Sequence, residues 1–160
     1  MIRPFRTEDA AAIADIYNYY VLHTTTSFET ARVSAEQMKD RLTDFSQHAP
    51  VLVAEEDGAI VGYCYAHPWK DRAAYSHTCE TTVYLAPSAF GKGIGRRMME
   101  QLIAGCRLRG IHVLIACITA ENTASCMFHE RLGFRKVSEF HQVGQKFGRW
   151  LDVVDYELMI

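Results

Sequence analysis

Three glycines at alternate positions stand between a strand-like run, residues 81–85, and a helix-like run, residues 94–109. Glycine allows bare backbone to approach a ligand closely. The first turn of a helix adds unpaired N–H groups and the positive end of the helix dipole. The glycines are Gly91, Gly93 and Gly95, and the nearby cations are Lys92, Arg96 and Arg97. The segment predicts a strand–loop–helix unit that binds phosphate oxygens.

The spacing of the loop separates three kinds of phosphate site. An ATP or GTP loop needs Ser or Thr after Gly-Lys, but Gly93 follows Lys92 here. The dinucleotide pattern needs a three-residue step to its last glycine, and the step from Gly93 to Gly95 is two. The spacing resembles the pyrophosphate loop of the GCN5-related N-acetyltransferase (GNAT) superfamily, Gln/Arg-x-x-Gly-x-Gly/Ala, with Phe90 at the Gln/Arg position. A glycine-rich turn without a ligand is the alternative.

Length and charge limit the class of protein. The chain has 160 residues, which suits a single domain, 1–160, with one core. Its formal net charge is −2 and its cations are scattered, whereas a nucleic-acid-binding protein should carry a basic stripe. No apolar run reaches membrane-spanning length, and Arg3 and Pro4 interrupt any signal-peptide pattern. We therefore expect a cytoplasmic protein with neither a nucleic-acid nor a membrane partner.

Cysteine and histidine spacing predicts no metal site. The five cysteines are widely spaced and odd in number, without a Cys-x-x-Cys pair, and the seven histidines show no ligand spacing. The cysteines are Cys64, Cys79, Cys106, Cys117 and Cys126. Buried, reduced thiols are the favoured interpretation.

The order of predicted elements is α/β or α+β with a mixed sheet. A strand at 2–6 precedes a helix capped by Thr7, and Ser34 and Gln37 form a capping box before a second helix. Between the helices lies the polar loop 24–29. Two strands joined by Asp57-Gly58 read as a β-hairpin.

The second half continues the pattern with a strand over 77–85 and a helix ending at Gly110. A buried strand at 113–118 and a short helix at 123–132 follow. The last strand pair is predicted at 134–140 and 153–159, joined by a twelve-residue link, 141–152, which has no helical pattern and is rich in glycine and aromatic residues.

Further motifs follow one another in the order found in one family. They are Ile16-Tyr17-Asn18, residues 24–29, Asp71-Arg72-Ala73-Ala74-Tyr75, residues 80–85, Asn122, Glu130-Arg131-Leu132-Gly133-Phe134 and residues 146–154. Together they resemble the phosphinothricin N-acetyltransferase family, including its relatives that acetylate methionine sulfoximine and methionine sulfone. The resemblance covers nearly the whole chain.

This resemblance implies the GNAT fold, a mixed, mostly antiparallel sheet whose fourth and fifth strands splay apart, flanked by helices. It also implies acetyl-CoA as co-substrate, bound in the gap. The residues it assigns to acetyl-CoA are Val83, Tyr84, Leu85, Gly91, Lys92, Gly93, Ile94, Gly95, Arg96 and Asn122. An opened strand edge has free N–H and C=O groups for a pantetheine amide. For Asn122, a helix cap is an alternative that does not exclude the first role.

Acetyl transfer to an amine requires a base, because an α-ammonium is mostly protonated at pH 7. Glu80 is the best candidate: strand alternation puts it on one face with Thr82 and Tyr84, and apolar neighbours are expected to raise its pKa. The alternatives are a solvated glutamate or an ion pair with Arg72. His129 is a candidate for protonating the leaving thiolate, or a polar helix histidine.

Residues for the acceptor are Phe28, Arg72, Tyr75 and Thr82. The planar guanidinium of Arg72 suits a carboxylate or phosphinate, although a lone loop arginine is usually solvated surface. Phe28 and Tyr75, with Trp69, are candidate pocket walls or packing caps. We expect residues 146–150 to form a loop that covers this site.

Three functional hypotheses remain open. The leading one is a small-molecule amine N-acetyltransferase, in a homodimer. A catalytically silent acetyl-CoA sensor would keep the glycine loop without needing Glu80 and Arg72. A protein Nα- or lysine acetyltransferase would need an open peptide groove, which compact aromatic loops oppose. The sequence does not rank phosphinothricin, methionine sulfoximine, methionine sulfone or another amine.

Overall fold

The computed structural model describes all 160 residues as seven strands and four α-helices. The strands are β1 (Ile2–Pro4), β2 (Val51–Glu56), β3 (Ala59–Pro68), β4 (Thr78–Leu85), β5 (Val113–Thr119), β6 (Arg135–Lys146) and β7 (Arg149–Met159). The helices are α1 (Ala10–His23), α2 (Ala35–His48), α3 (Ile94–Leu108) and α4 (Thr123–Arg131). The strands form one sheet in the order β1-β2-β3-β4-β5-β7-β6.

The sheet is antiparallel everywhere except between β4 and β5. These two strands pair over only three positions, from Thr78 opposite Val113 to Glu80 opposite Ile115. Beyond them the Thr81 hydroxyl donates to the Ile115 carbonyl at 3.3 Å. Residues 81–85 of β4 then pair only with β3. The predicted mixed, mostly antiparallel sheet with splayed fourth and fifth strands is confirmed.

Two apolar cores lie on opposite faces of the sheet, and β3 contributes to both. Tyr63 and Tyr65 point into the core under α1 and α2, whereas Cys64 and Ala66 point into the core under α3. This alternation follows from the two-residue period of a strand. The sheet is therefore covered on both faces at its centre, and the splay between β4 and β5 opens within that covered region.

Local signals placed several boundaries correctly. The Ser34 hydroxyl accepts the Gln37 N–H at 3.1 Å while the Gln37 side chain accepts the Ser34 N–H at 2.9 Å, so the capping box starts α2. Asp57 and Gly58 have φ of 50° and 78°, as a two-residue hairpin turn requires.

The predicted helix cap at Thr7 is wrong. Thr7 begins a short 3-10 helix, Thr7–Asp9, and α1 starts at Ala10. The carboxylate of Asp9 accepts the Arg6 N–H at 2.8 Å and also binds the Arg3 guanidinium. A carboxylate fixed by an arginine is a stronger acceptor here than a hydroxyl, so the chain turns around Asp9.

The predicted twelve-residue link at 141–152 is also wrong. Strands β6 and β7 continue through it and meet at a two-residue turn, Phe147-Gly148, with φ of 51° and 72°. Most of β6 is exposed on both faces, so its sequence carries no apolar alternation. A register shift between Phe140 and Gly144 hides the strand further.

None of the four helices combines the length and apolar character needed to cross a membrane.

Candidate functional site

A cavity of about 500 Å³ lies on the side of the sheet covered by α1 and α2. Strands β3, β4 and β5 form its floor, and the loop 24–29 and α2 form its wall. Its lining residues are Tyr17, Thr26, Ser27, Phe28, Glu29, Arg41, Tyr65, His67, Glu80, Thr82, Tyr84, Cys117, Thr119 and Val153. We call this space the acceptor cavity because it contains Phe28 and Thr82, two of the residues that the sequence analysis predicted for the acceptor.

Glu80 reaches the acceptor cavity from β4, on the same strand face as Thr82 and Tyr84, as the strand period predicts. Burial raises the pKa of its carboxyl; the charge of His67 opposes this shift and that of Asp155 adds to it. The nearest basic side chain is His67, whose Nε2 lies 4.0 Å from Glu80 Oε1. The alternative of an ion pair with Arg72 is wrong, because Arg72 forms no ion pair in the structure.

At the α2 wall, the Arg41 guanidinium donates two hydrogen bonds to Glu29, at 2.7 and 3.3 Å. It also lies 5.8 Å from the centre of the Tyr17 ring. Burial opposes ionisation of Glu29, but the hydrogen bonds from Arg41, with the nearby Tyr17 hydroxyl, outweigh it and lower the pKa of that carboxyl. The cavity therefore contains one fixed guanidinium, from an element that the sequence did not connect with the site.

The loop 24–29 is anchored by several elements. The Thr119 hydroxyl donates to the Thr25 carbonyl at 2.7 Å, and the Tyr17 hydroxyl bonds to Ser27 at 2.7 Å. The buried ammonium of Lys146 donates to the Ser27 carbonyl at 2.6 Å. The Phe28 ring packs on Gly144, where a Cβ would overlap it. The β6–β7 hairpin, rather than a loop at 146–150, therefore supports this wall.

The sequence-predicted acceptor residues separate into two groups. Phe28 and Thr82 line the acceptor cavity, whereas Arg72 and Tyr75 do not. Tyr75 packs edge-to-face on Trp69 with ring centres 5.4 Å apart, which matches the packing-cap alternative. Arg72 is exposed, in the connection between Pro68 at the end of β3 and Thr78 at the start of β4. Its role in binding stays a prediction.

The gap between β4 and β5 holds a second, smaller cavity of about 60 Å³. Val83 and Tyr84 line it from β4, and Asn122 and His129 line it from the opposite side. Five residues line both this gap and the acceptor cavity: Thr26, Thr82, Tyr84, Cys117 and Thr119. The two spaces are thus adjacent at the middle of the sheet.

The glycine loop lines a third cavity, of about 400 Å³. Leu85, the last residue of β4, also lines this cavity. Gly91 and Gly93 have φ of 75° and 71°, and a Cβ on either would meet no protein atom within 4 Å. Gly93 is the residue before α3, so the first N–H groups of this helix face the loop. Phe90, Gly91, Gly93, Ile94, Gly95 and Arg96 line this cavity.

Two of the predicted cofactor cations are held by carboxylates on the surface. Lys92 lies 3.2 Å from Glu56, and Arg96 lies 2.8 Å from Glu100. Such exposed pairs contribute little to stability, so both side chains can exchange partners at small cost. The Leu85 carbonyl is already occupied, because it accepts a hydrogen bond from Tyr20.

Asn122 and His129 both have structural partners. The Asn122 side chain accepts the Ser125 N–H at 3.2 Å and caps α4, so the capping alternative is confirmed. Burial lowers the pKa of His129, and its Nδ1 lies 2.9 Å from the Ser125 carbonyl, which opposes the shift. A neutral ring that donates through Nδ1 leaves Nε2 without a proton. The predicted role as proton donor to the thiolate stays a prediction without support from this geometry.

The cysteine prediction holds for three thiols but is wrong for Cys117. Cys64, Cys79 and Cys106 are buried and unpaired, whereas Cys117 is exposed in the acceptor cavity. The cavity walls nevertheless shield the Cys117 thiol from water. This desolvation, together with the negative charges of Glu80 and Asp155, raises the pKa of the thiol to about 12.

The spacing of residues in the sequence did not predict one surface cluster of possible metal ligands. Ligand-type atoms of Glu139, His141 and Asp152 lie within 4.8 Å of one another. The β6–β7 pairing brings them together, and His141 lies 3.2 Å from Asp152.

Sequence reasoning missed the cavity residues Tyr17, Glu29, Arg41, Tyr65, His67 and Thr119 as site residues. A signal existed for His67: it follows Tyr63 and Tyr65 at the strand period and pairs with Glu80 across the β3–β4 register. No local signal existed for Arg41, because its contact with Glu29 requires the fold.

Comparison with known proteins agrees with this geometry. The acetyltransferase (GNAT) domain family matches residues 2–154. The chain is 40% identical to the L-amino acid N-acyltransferase MnaT of Escherichia coli, over 99% of this chain and 93% of that protein. It is 38% identical to an L-methionine sulfoximine/L-methionine sulfone acetyltransferase of Salmonella typhimurium, over 95% and 90%.

A solved structure shows the same fold. A GNAT superfamily phosphinothricin acetyltransferase from Sinorhizobium meliloti, in complex with acetyl-CoA, superposes with a TM-score of 0.96 at 31% identity. The match covers 100% of this chain and 88% of that one. The resemblance predicted from the sequence is confirmed.

Proposed function

Because the chain belongs to the GNAT acetyltransferase family and is an acetyl-CoA-dependent N-acetyltransferase, we propose that its acceptor is the amino group of a small amino-acid-like molecule. The class we propose is that of methionine sulfone, methionine sulfoximine and phosphinothricin. Relatives named for these activities match nearly the full chain.

One observation carries the proposal: the acceptor cavity and the gap between β4 and β5 share five lining residues, and Glu80 lies in the acceptor cavity beside them. Acetyl-CoA in the gap and an amine beside Glu80 would meet where the spaces join. At about 500 Å³ the acceptor cavity has the size of a small-molecule site.

In the proposed reaction Glu80, directly or through water, takes a proton from the acceptor ammonium. The neutral nitrogen attacks the thioester carbonyl to form the C–N bond, and the thiolate leaves as the C–S bond breaks. The second proton that the nitrogen loses on becoming an amide passes to the thiolate or to solvent. A base with a raised pKa suits this step, since efficient proton transfer requires a pKa near the working pH. The Gly91–Gly95 loop and the start of α3 would hold the pyrophosphate. The open edge at Val83 and Tyr84, with Asn122, would hold the pantetheine arm.

Phe28 and Thr82 would shape the acceptor pocket from its wall and floor. We propose that Arg72 binds the acceptor carboxylate. Its guanidinium forms no ion pair, and its loop connects to β4 near Glu80. Tyr75 would support that loop through Trp69.

We also propose a cytoplasmic homodimer. The support is a group of exposed apolar side chains on the β6–β7 hairpin: Val137, Phe140, Val143, Phe147 and Trp150. Sedimentation velocity measures the assembly state.

An amine panel tests the function. Free CoA release is measured with acetyl-CoA and methionine sulfone, methionine sulfoximine, phosphinothricin, a peptide N-terminus and a lysine peptide. We expect turnover with the first three. Turnover confined to the peptides would support a protein acetyltransferase, and acetyl-CoA binding without any turnover would support a sensor.

A further inference from the structure

We propose that Arg41 selects the acceptor molecule by donating hydrogen bonds to it. The accepting oxygen atoms lie at the end of the acceptor's side chain that is distant from its amino group, and they belong to an uncharged group. A sulfone or sulfoximine has that chemistry. The inference rests on the proposed function. That function places the amine of the acceptor at Glu80, and the inference places the other end of the same molecule at Arg41.

The first step concerns which cations reach the acceptor cavity. Arg41 is the only lysine or arginine in its lining. Its side chain is 29% exposed, so a hydrogen bond made there competes with less water than one on the surface. Lys146 already donates a hydrogen bond to the Ser27 carbonyl, and Arg149 already donates to the Glu121 carboxylate.

The second step concerns how Arg41 is held. Two of the five N–H groups of its guanidinium bind Glu29, at 2.7 and 3.3 Å, and the Tyr17 ring lies 5.8 Å away. The remaining N–H groups are available to a ligand. A planar group already fixed by its neighbours loses little freedom when it binds.

The third step places Arg41 relative to Glu80. Phe45 packs on both Tyr65 and His67, with ring centres 5.0 and 4.8 Å apart. Arg41 lies four residues before Phe45 on α2, which is about 6 Å along the helix axis. His67 pairs across the strands with Glu80. The cavity therefore has a Glu80–His67 end and an Arg41–Glu29 end, with the Tyr65 ring between them.

The fourth step concerns charge. An acceptor that spans this floor presents its amine at one end, methylene groups over Tyr65, and oxygen atoms at the other end. Glu29 stays beside Arg41 and is ionised, since its pKa is lowered. Its negative charge disfavours an anionic group such as a phosphinate more strongly than an S=O oxygen, which carries only a partial charge. The geometry therefore favours a sulfone or sulfoximine over phosphinothricin.

The experiment compares methionine sulfone with methionine, which has the same skeleton without the sulfone oxygens. Arg41→Gln should lower kcat/KM for the sulfone ten- to hundredfold, mainly through KM, since a hydrogen bond to a charged group is lost. Methionine should change less than about twofold. Arg41→Lys should recover part of the loss. Arg32→Gln, an exposed arginine outside the acceptor cavity, is the matched control and should change neither substrate.

A second variant keeps the guanidinium. Glu29→Gln removes the negative charge and should raise the kcat/KM ratio of phosphinothricin to methionine sulfone by about tenfold. An unchanged ratio would overturn the preference for an uncharged group. Melting temperature and acetyl-CoA affinity establish that each variant is folded.

Equal losses for sulfone and methionine in Arg41→Gln would show that Arg41 only supports the loop 24–29, and the inference would be wrong. A wild-type protein that acetylates both equally would also overturn it, while leaving the proposed function intact. A wild-type protein that acetylates none of these amino acids would overturn both.

Discussion

The proposed acetyl-CoA groove comprises the gap between β4 and β5 and the cavity at the glycine loop, and it is assembled in a different way from the acceptor cavity. Most of the groove is built by neighbours in sequence: β4, the glycine loop and α3 follow one another within residues 78–108, and β5 and α4 complete it. The acceptor cavity takes side chains from α1, the loop 24–29, α2, β3, β4, β5 and β7. A local motif can therefore predict the first site, whereas the second exists only once distant elements pack together.

The two regions also hold their charges differently. Lys92 and Arg96 at the groove form exposed pairs with Glu56 and Glu100, and such pairs are weak and easily exchanged. Arg41 and Glu29 at the cavity are partly buried and joined by two hydrogen bonds. The groove can thus reorganise around a phosphate, while the cavity presents a fixed arrangement to its ligand.

The largest effect should come from Glu80→Gln, which keeps the shape of the side chain but loses its basicity. We expect kcat to fall by ~10²–10⁴, with a smaller loss at high pH where the amine is already neutral. Acetyl-CoA affinity, measured by calorimetry, should not change, because Glu80 belongs to the cavity. Wild-type turnover at neutral pH would exclude this residue as the base.

Arg72→Ala tests whether the acceptor site extends beyond the cavity. We expect kcat/KM for methionine sulfone to fall about ten- to a hundredfold through loss of a charge-assisted hydrogen bond. The decarboxylated amine of the same substrate should be nearly unaffected, since it has no carboxylate to bind. Arg72→Lys should recover only part of the loss. If both substrates lose equally, Arg72 supports its loop instead.

Gly93→Val is the reciprocal change at the groove. A β-branched residue at φ of 71° is strained, and its side chain would occupy the space that we propose for the pyrophosphate. We expect acetyl-CoA affinity to fall more than about tenfold, roughly 1.4 kcal/mol. Gly148→Val is the matched control, because Gly148 has φ of 72° and equally open surroundings in the β6–β7 turn. Comparable losses in both variants would attribute the effect to backbone strain alone.

His67→Gln should have the smallest effect, a shift in pH dependence. Glu80 acts as a base when ionised, so kcat/KM falls as pH drops through its pKa, which burial raises. The charge of His67 lowers that pKa, so its removal should move the acid limb to higher pH, by less than about one unit. His48→Gln, at the exposed end of α2, should leave the limb in place. A shift to lower pH would contradict the assignment of the limb to Glu80.

The sequence predicted what depends on neighbours along the chain. The capping box, the Asp57-Gly58 turn, the glycine loop and the face of Glu80 all follow from short spacings. It failed where a contact made only in the fold decides the outcome, as with Asp9, whose carboxylate binds the Arg3 guanidinium and the Arg6 N–H, and with β6, which β7 supports without an apolar alternation. Arg41 belongs to this second group, and so does the position of Arg72 outside the cavity lining.

The anchoring of the loop 24–29 has a consequence for protein engineering. Its hydrogen bonds come from Tyr17 on α1, Thr119 on β5 and Lys146 on β6. A loop of the same length transplanted from another enzyme would need a hydroxyl opposite Tyr17 and backbone carbonyls in the same positions opposite Thr119 and Lys146, which are buried polar side chains. Redesign of the pocket therefore requires the loop and its anchors to be exchanged together, as a single discontinuous unit.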